Sequence, residues 1–428
     1  MGKGNKVHKA VVWDVMQNIF GVFNDHQLHA VIYFEEFIDE ECLKKAVDIS
    51  IDMFPLIKCR FVEKSFFSFP YWEECSYSSQ HIVRRINTED IESTVNRLIV
   101  EKTDEKLGPQ LIVNLIRTER CDSLCIIMNH MISDGAGFKE YLYKLSSIYS
   151  GLKKNHNYRP VLKEMGIRST KQIFKDFSFS DKIRILRASS KLSKYNSGAV
   201  FPFEGDLTNP FIEKRKISQE KFLKIKNYVK ARNATVNDAL LTAYIRCLVN
   251  TLKIKQIALP CPVDLRRYLP NRQSGAICNL TSNMICDIGE DIGETFEDTL
   301  IKVRNVMLIE KDSLSSLNGP LMLELIFGVF PYKAARKMVE KAFDNPAIAM
   351  TNIGIIDKNK LLFKDSKIKD TFVCGSIKYK HYFQIAITTY DDEITLTINY
   401  YGTEKDRMKI KEFLSAFEEE LSYPSYVV

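Results

Sequence analysis

The stretch Asn129-His130-Met131-Ile132-Ser133-Asp134-Gly135 decides how this chain is read. Leu124 to Met128 before it is an unbroken apolar run, as a buried strand requires. After it, Phe138, Tyr141, Leu142, Leu145, Ile148 and Tyr149 recur at the spacing of one helix face. His130 therefore stands where a strand gives way to a helix, with an aspartate four residues on and a glycine at the start of the next element. Loops held between rigid elements are where chemistry-bearing side chains tend to be displayed. A plainer reading packs His130 beside its strand and leaves Asp134 and Gly135 only to cap the helix.

The bulk of the chain narrows the choices. Its 428 residues suffice for two or three domains, and 45% hydrophobic with 27% charged residues is a globular composition. The longest oily stretch, Leu321 to Tyr332, is short and carries Glu324, so no membrane span is expected. Met1 to Lys6 is basic with no apolar run behind it, unlike a secretory signal, and Lys6 stands where myristoylation wants Ser or Thr. Ten cysteines show no Cys-x-x-Cys pairs, and Cys121 and Cys125 lack a second pair to complete a zinc site. Free thiols in a reducing cytoplasm follow, which strips the sequons at Asn233 and Asn279 of meaning.

A net charge of +7 is spread among acidic residues rather than gathered on a stripe, which argues against nucleic acid. The densest patch, Lys358, Lys360, Lys364, Lys367 and Lys369, is broken by Asp365 and Asp370 and reads as a solvated loop. No nucleophile elbow, phosphate loop or metal-binding histidine cluster is present in the sequence. His8, His26, His29, His81, His156 and His381 lack a neighbourhood like that of His130 and read as surface or incidental core residues.

Strand and helix patterns alternate through the first part. Strands are expected over 28–34, 57–62, 110–117 and 123–128, with helices over 39–54 and 91–100. The helix after His130 is expected to end near Ser150-Gly151. Residues 152–208 are weakly periodic and read as a crossover, with some helix over 181–194. A similar program then restarts: strand 212–217, helix 218–231 capped by Ser218, and a helix ending near Leu252 after Thr235-Val236-Asn237-Asp238. Strands follow over 257–262 and 277–285, then helix 295–311, strands 347–355, 383–390 and 393–401, and helix 406–421. The fold class expected is α/β (α+β). Its domains are an N-terminal lobe over 1–165, a crossover over 166–208 and a C-terminal lobe over 209–428.

These pieces, in this order, resemble the acyltransferase superfamily related to chloramphenicol acetyltransferase, which includes condensation domains, alcohol acetyltransferases and polyketide-associated acyltransferases. His130 to Gly135 is similar to its His-His-x-x-x-Asp-Gly motif, with Asn129 in place of the first histidine. Met53-Phe54-Pro55-Leu56-Ile57 resembles the early helix–proline–strand step, and Thr235 to Leu241 the start of a second-lobe helix. Pro262-Val263-Asp264-Leu265-Arg266-Arg267 looks like the arginine-bearing loop, Gly275 to Asn279 a Gly-x-x-x-Asn strand, and Thr389 to Tyr400 the closing hairpin. The Asp-Phe-Gly-Trp-Gly element of the plant branch is absent.

The resemblance implies two lobes, each a mixed sheet with flanking helices, and an active-site tunnel between them. It implies acyl transfer from a thioester, acyl-CoA or a phosphopantetheinyl carrier protein, to a small alcohol or amine. No permanently bound cofactor or metal is expected; the sequence leaves the oligomeric state open, although a chain with two related halves could work as a monomer. A mild positive charge suits an anionic donor. A stand-alone condensation-type enzyme and a non-catalytic carrier-binding relative are the alternatives. Histidine, with an ordinary pKa near 6.5, is suited to take the acceptor's proton. The resemblance implies that Asp134 pairs with an arginine and stiffens the loop, Arg266 being the candidate ahead of Arg267 and Arg60, with Gly135 letting the backbone turn into the helix. Asn279 and Asn352 are candidates to meet the substrate or its oxyanion.

Overall fold

Gln27–Phe34 and Asp122–Asn129 are buried along nearly their whole length, so both of their faces must be covered. The computed structural model describes residues 5–161, 166–188, 199–343 and 345–422. Among these residues the strands are β1 (Val7–Lys9), β2 (Gln27–Phe34), β3 (Cys59–Val62), β4 (Tyr71–Glu74), β5 (Val83–Asn87), β6 (Leu111–Arg117) and β7 (Asp122–Asn129). They continue as β8 (Pro210–Ile217), β9 (Ala258–Asp264), β10 (Thr281–Asp287), β11 (Ile348–Ile356), β12 (Ile368–Cys374), β13 (Phe383–Tyr390) and β14 (Glu393–Tyr401).

The first large sheet runs β12-β2-β7-β6-β5, antiparallel except for β5 and β6. The second runs β11-β13-β14-β8, antiparallel except for β11 and β13. Each is a mixed sheet with one parallel edge pair. A β9–β10 ribbon and a small β1-β4-β3 sheet complete the set.

Alternation along the central strands explains how both faces are filled. Ala30, Ile32, Leu124 and Ile126 pack under the helices Glu40–Met53 and Gly135–Lys154. Val31 and Cys125, one residue out of phase, face a cluster with Val95 and Leu98 of the helix Ile91–Leu98. A separate core joins the second sheet to the helices Gln219–Ala231, Val236–Leu252 and Glu404–Ser422. Thr235 and Asp238 close a reciprocal cap on the helix Val236–Leu252, and Ser218 caps the one before it. All ten cysteines are unpaired, eight of them buried. Among the described residues no helix is long and apolar enough to cross a membrane.

Several elements differ from the pattern of the sequence, each for a local reason. The helix from Gly135 runs through Gly151 to Lys154, and Gly151 is not its stop: the Tyr158 ring fills the space where a Cβ would lie. The helix of the crossover is Phe179–Arg187, and 189–198 fall outside the described residues. The strand expected from 277 starts only at Thr281, since the backbone of Cys278 and Leu280 turns to Asp134 and Arg266. The lysine-rich segment is no free loop. Its backbone lies along the helix Gly135–Lys154, anchored where Asp357 N donates to Tyr143 Oη (2.9 Å) and Ser150 Oγ donates to Leu362 O (2.6 Å). It then enters β12, which pairs with β2 as an edge strand of the first sheet.

Phe372 on β12 is 2% exposed and packs with Val31, Cys125 and Ala386, so residues of both lobes share one core. Truncation to Phe372→Ala should cost about 3–5 kcal/mol. Urea unfolding followed by far-UV circular dichroism should show a single shifted transition. Two separated transitions would mean that the lobes fold independently of this strand.

Candidate active site

His130 follows the last residue of β7, and its turn is fixed by backbone and side chain together. His130 N donates to His26 O (2.8 Å), and Met131 N donates to Asn129 Oδ1 (2.9 Å). Asn129 therefore shapes the turn from a fully buried position.

The imidazole is oriented from the other lobe. Asn279 donates through Nδ2 to His130 O (2.9 Å) and Met131 O (3.1 Å), which leaves its Oδ1 3.2 Å from His130 Nδ1. An amide oxygen only accepts, so Nδ1 carries the proton and Nε2 keeps its lone pair. Among the described residues nothing bonds to Nε2. Burial lowers the pKa of His130 below its ordinary 6.5, and the nearby Lys378 charge acts in the same direction. The ring is neutral at physiological pH, with a basic nitrogen free.

Asp134 is 2% exposed and caps the helix through Gly137 N (2.8 Å to Oδ1). Its Oδ2 accepts from Arg266 Nη1 (2.9 Å), Leu280 N (2.7 Å) and Thr281 Oγ1 (3.0 Å). Burial alone would raise its pKa, but the Arg266 guanidinium and these donors hold it below the ordinary carboxylate value. Arg266 leaves β9 on a turn capped by Asp264 and also donates to Asp264 Oδ1 (3.0 Å) and Cys278 O (2.8 Å).

The structure brings His130, Asp134, Arg266 and Asn279 together. Asn279 stands behind the imidazole with both amide hydrogens committed to carbonyls, so it is placed to position the ring and not to meet an oxyanion. Asn352 lies on the cavity wall, where Nδ2 donates to Asn237 Oδ1 (3.0 Å) and Oδ1 accepts from Gly354 N (2.9 Å). It makes no bond to the other four. A Cβ on Gly135 would meet only Ile353 at an ordinary 3.7 Å. The glycine the turn needs is Gly137, where a Cβ would come within 2.5 Å of Ser133 Oγ and 3.1 Å of Cys278 O.

One support has no signal in the sequence. Arg168, in the crossover, makes a buried two-pronged pair with Asp14 (2.7 and 3.0 Å) and reaches Ile132 O (3.4 Å). Trp72 Nε1 donates to the same carboxylate (2.8 Å). Nothing in the spacing of residues 14, 72 and 168 announces the contact.

The imidazole lines a cavity of about 580 Å³ between the lobes, the size of a small-molecule site. Trp13, Phe20, Phe23, Phe343 and Tyr382 form an aromatic wall with neighbouring ring centroids 4.9–6.5 Å apart. Thr281, Ser282, Asn283 and Thr351 add polar lining. Gly135 and Ala136, in the first turn of their helix, also border it.

Residues 277–423 match the family model described as the WS/DGAT C-terminal domain. No curated protein sequence matches the chain significantly. Among solved structures, it resembles polyketide synthase associated protein 5 from Mycobacterium tuberculosis at 14% identity and TM-score 0.69, over 99% of each chain. It resembles the TRI3 trichothecene 15-O-acetyltransferase from Fusarium sporotrichioides at 12% identity and TM-score 0.69, over 99% of this chain and 96% of that one. The first condensation domain of the CDA synthetase gives 13% identity and TM-score 0.69, over 99% and 98%. These likenesses show a fold shared along the whole chain with condensation domains and with the TRI3 acetyltransferase, and a family match confined to its C-terminal third.

The crowding at Gly137 has a measurable consequence. Gly137→Ala should destabilise the protein by about 1–3 kcal/mol, because Ser133 or the Cys278 backbone must shift. Gly135→Ala should change stability by less than about 1 kcal/mol. Paired urea melts of the two variants check this, and equal losses would refute it.

Proposed function

We propose that this chain is an acyltransferase moving an acyl group from a thioester, acyl-CoA or a phosphopantetheinyl carrier, to the hydroxyl or amine of a small acceptor. The observation that carries this reading is a cavity-lining imidazole whose Nδ1 is tied to Asn279 Oδ1, leaving Nε2 unprotonated. Nε2 takes the proton as the acceptor's oxygen or nitrogen attacks the thioester carbonyl. The tetrahedral intermediate collapses, the carbon–sulfur bond breaks, and the departing thiolate recovers the proton from Nε2. No acyl-enzyme is required, because the thioester is already activated. The amides of Gly135 and Ala136, in the first helical turn bordering the cavity, are the donors this reading assigns to the developing oxyanion.

Asp134 and Arg266 serve as positioning residues. Both are buried and fully engaged with protein groups, so their part is to hold the His130 turn against the second lobe. The carrier-protein and acyl-CoA versions of the donor share this chemistry.

The test is turnover with acetyl-CoA, longer acyl-CoAs and a panel of alcohols and amines. His130→Ala should lose about 10²–10⁴-fold in kcat, the usual contribution of a general base. Because burial lowers the His130 pKa, the ring stays deprotonated to lower pH than a free imidazole. The acid limb of kcat/KM should therefore lie below pH 6.5, and Asn279→Ala should weaken kcat with the fold retained. Ester or amide formation that persists undiminished in His130→Ala would refute the mechanism.

A further inference from the structure

Lys378 lies on the segment between β12 and β13 and lines the cavity that holds His130. Its neighbours there are Asn24, with which its backbone forms a bridge, and the aromatic wall of Phe23 and Tyr382. Among the described residues its ammonium makes no hydrogen bond and no ion pair. It is not sealed in packing either, since it borders the open space.

An unpaired cation held away from bulk water is unfavourable, and a folded protein ordinarily supplies it with a carboxylate. The groups that feel its charge are His130 and Asp25. Asp25 makes no ion pair with it in the structure. One of its oxygens accepts from Gln27 N (3.2 Å) and Ile377 N (2.9 Å), and the other is buried without any partner. Loss of hydration pushes the Lys378 pKa down from 10.5 to about 8, so the side chain still carries its charge at neutral pH. Lys139, also on the cavity wall, is a contrast: its Nζ is spent on Ile353 O (2.6 Å) and Ile355 O (3.3 Å).

Resting on the acyl-transfer reading above, we infer that Lys378 is a specificity residue, and that this site takes a substrate bearing a carboxylate on an apolar body. The carboxylate would complete the coordination of the ammonium while the aromatic wall covers the apolar part. A charge-assisted bond of this kind in a desolvated cavity is worth about tenfold or more in discrimination over a neutral isostere. The carboxylate can belong to the acceptor or to the acyl group, and the two are separable by experiment.

For the acceptor, kcat/KM is measured with acetyl-CoA and either 4-(hydroxymethyl)benzoate or benzyl alcohol. For the acyl group, succinyl-CoA and butyryl-CoA are compared on benzyl alcohol. Calorimetry of 4-(hydroxymethyl)benzoate and benzyl alcohol binding needs no turnover and stands beside both. In one of the two kinetic pairs the wild type should prefer the anionic member by about tenfold or more. Lys378→Met, which keeps the apolar stem, should bring that ratio toward one, and Lys378→Arg should restore it. A ratio near one in wild type for both pairs, together with carboxylate binding indifferent to Lys378→Met, overturns the inference and leaves acyl transfer intact. Lys378-dependent carboxylate binding without any acyl transfer supports the inference and counts against acyl-CoA as the donor. A Lys378→Met effect equal on anionic and neutral members, with a displaced pH profile, would show the lysine acting through His130 and would also overturn it.

Discussion

The buried pair of Asp134 and Arg266 is the contact on which the site's geometry depends. Asp134 begins the helix that follows the His130 turn, and Arg266 begins the loop that follows β9 in the other lobe. Breaking a buried pair by deleting one partner typically costs about 3–5 kcal/mol, because the survivor keeps its desolvation penalty. Here loss of Asp134 would also strand the amide of Leu280 and the hydroxyl of Thr281, and loss of Arg266 the carbonyl of Cys278. Those same residues flank Asn279, which holds the imidazole. Orientation of one ring in the first lobe is thereby set by the path of residues 278–281 in the second.

That dependence explains what was legible in the sequence and what was not. The β7–turn–helix unit is local, and its apolar periodicity, N-capping aspartate and histidine are all visible within some twenty residues. Arg266 was reachable through a resembling loop rather than through spacing. The work of Asn279 was not readable, because an asparagine at a strand end looks the same whether it bonds a substrate or two carbonyls. Gly137 and Gly135 look alike in the sequence, and only three-dimensional crowding at Ser133 and Cys278 tells them apart. Asp14 and Arg168 are 154 positions apart, and no pattern of period two or 3.6 connects them. β12 is masked in the sequence by its charges: Lys369 and Asp370 precede a run of only four buried residues, Thr371 to Cys374, and edge strands are commonly short and charged.

The strap over 357–367 and the strand after it tie the lobes in a second place. Helix Gly135–Lys154 lies beneath the strap, β2 beside the strand, and β13 against its far side, where Val373 N donates to Thr388 Oγ1 (3.3 Å). The cavity therefore sits between two fastenings, the Asp134–Arg266 pair and the β12 junction. Bodies joined at two separated places resist hinge motion more than bodies joined at one.

The electrostatics of this enclosed space follow from the same packing. Removing water strengthens every remaining interaction and penalises every unpaired charge. For His130 the penalty falls on the imidazolium, which keeps the ring neutral and able to accept a proton. Asp134 faces the same penalty, yet Arg266 and three further donors outweigh it and the carboxylate stays ionised. Two ionisable groups four residues apart thus hold opposite charge states at neutral pH, the imidazole uncharged and the carboxylate charged. The difference lies in their partners: His130 Nε2 faces open space, while both Asp134 oxygens face protein donors. A group left uncompensated in a dry cavity is available for chemistry, whereas one that is compensated is available only for holding shape.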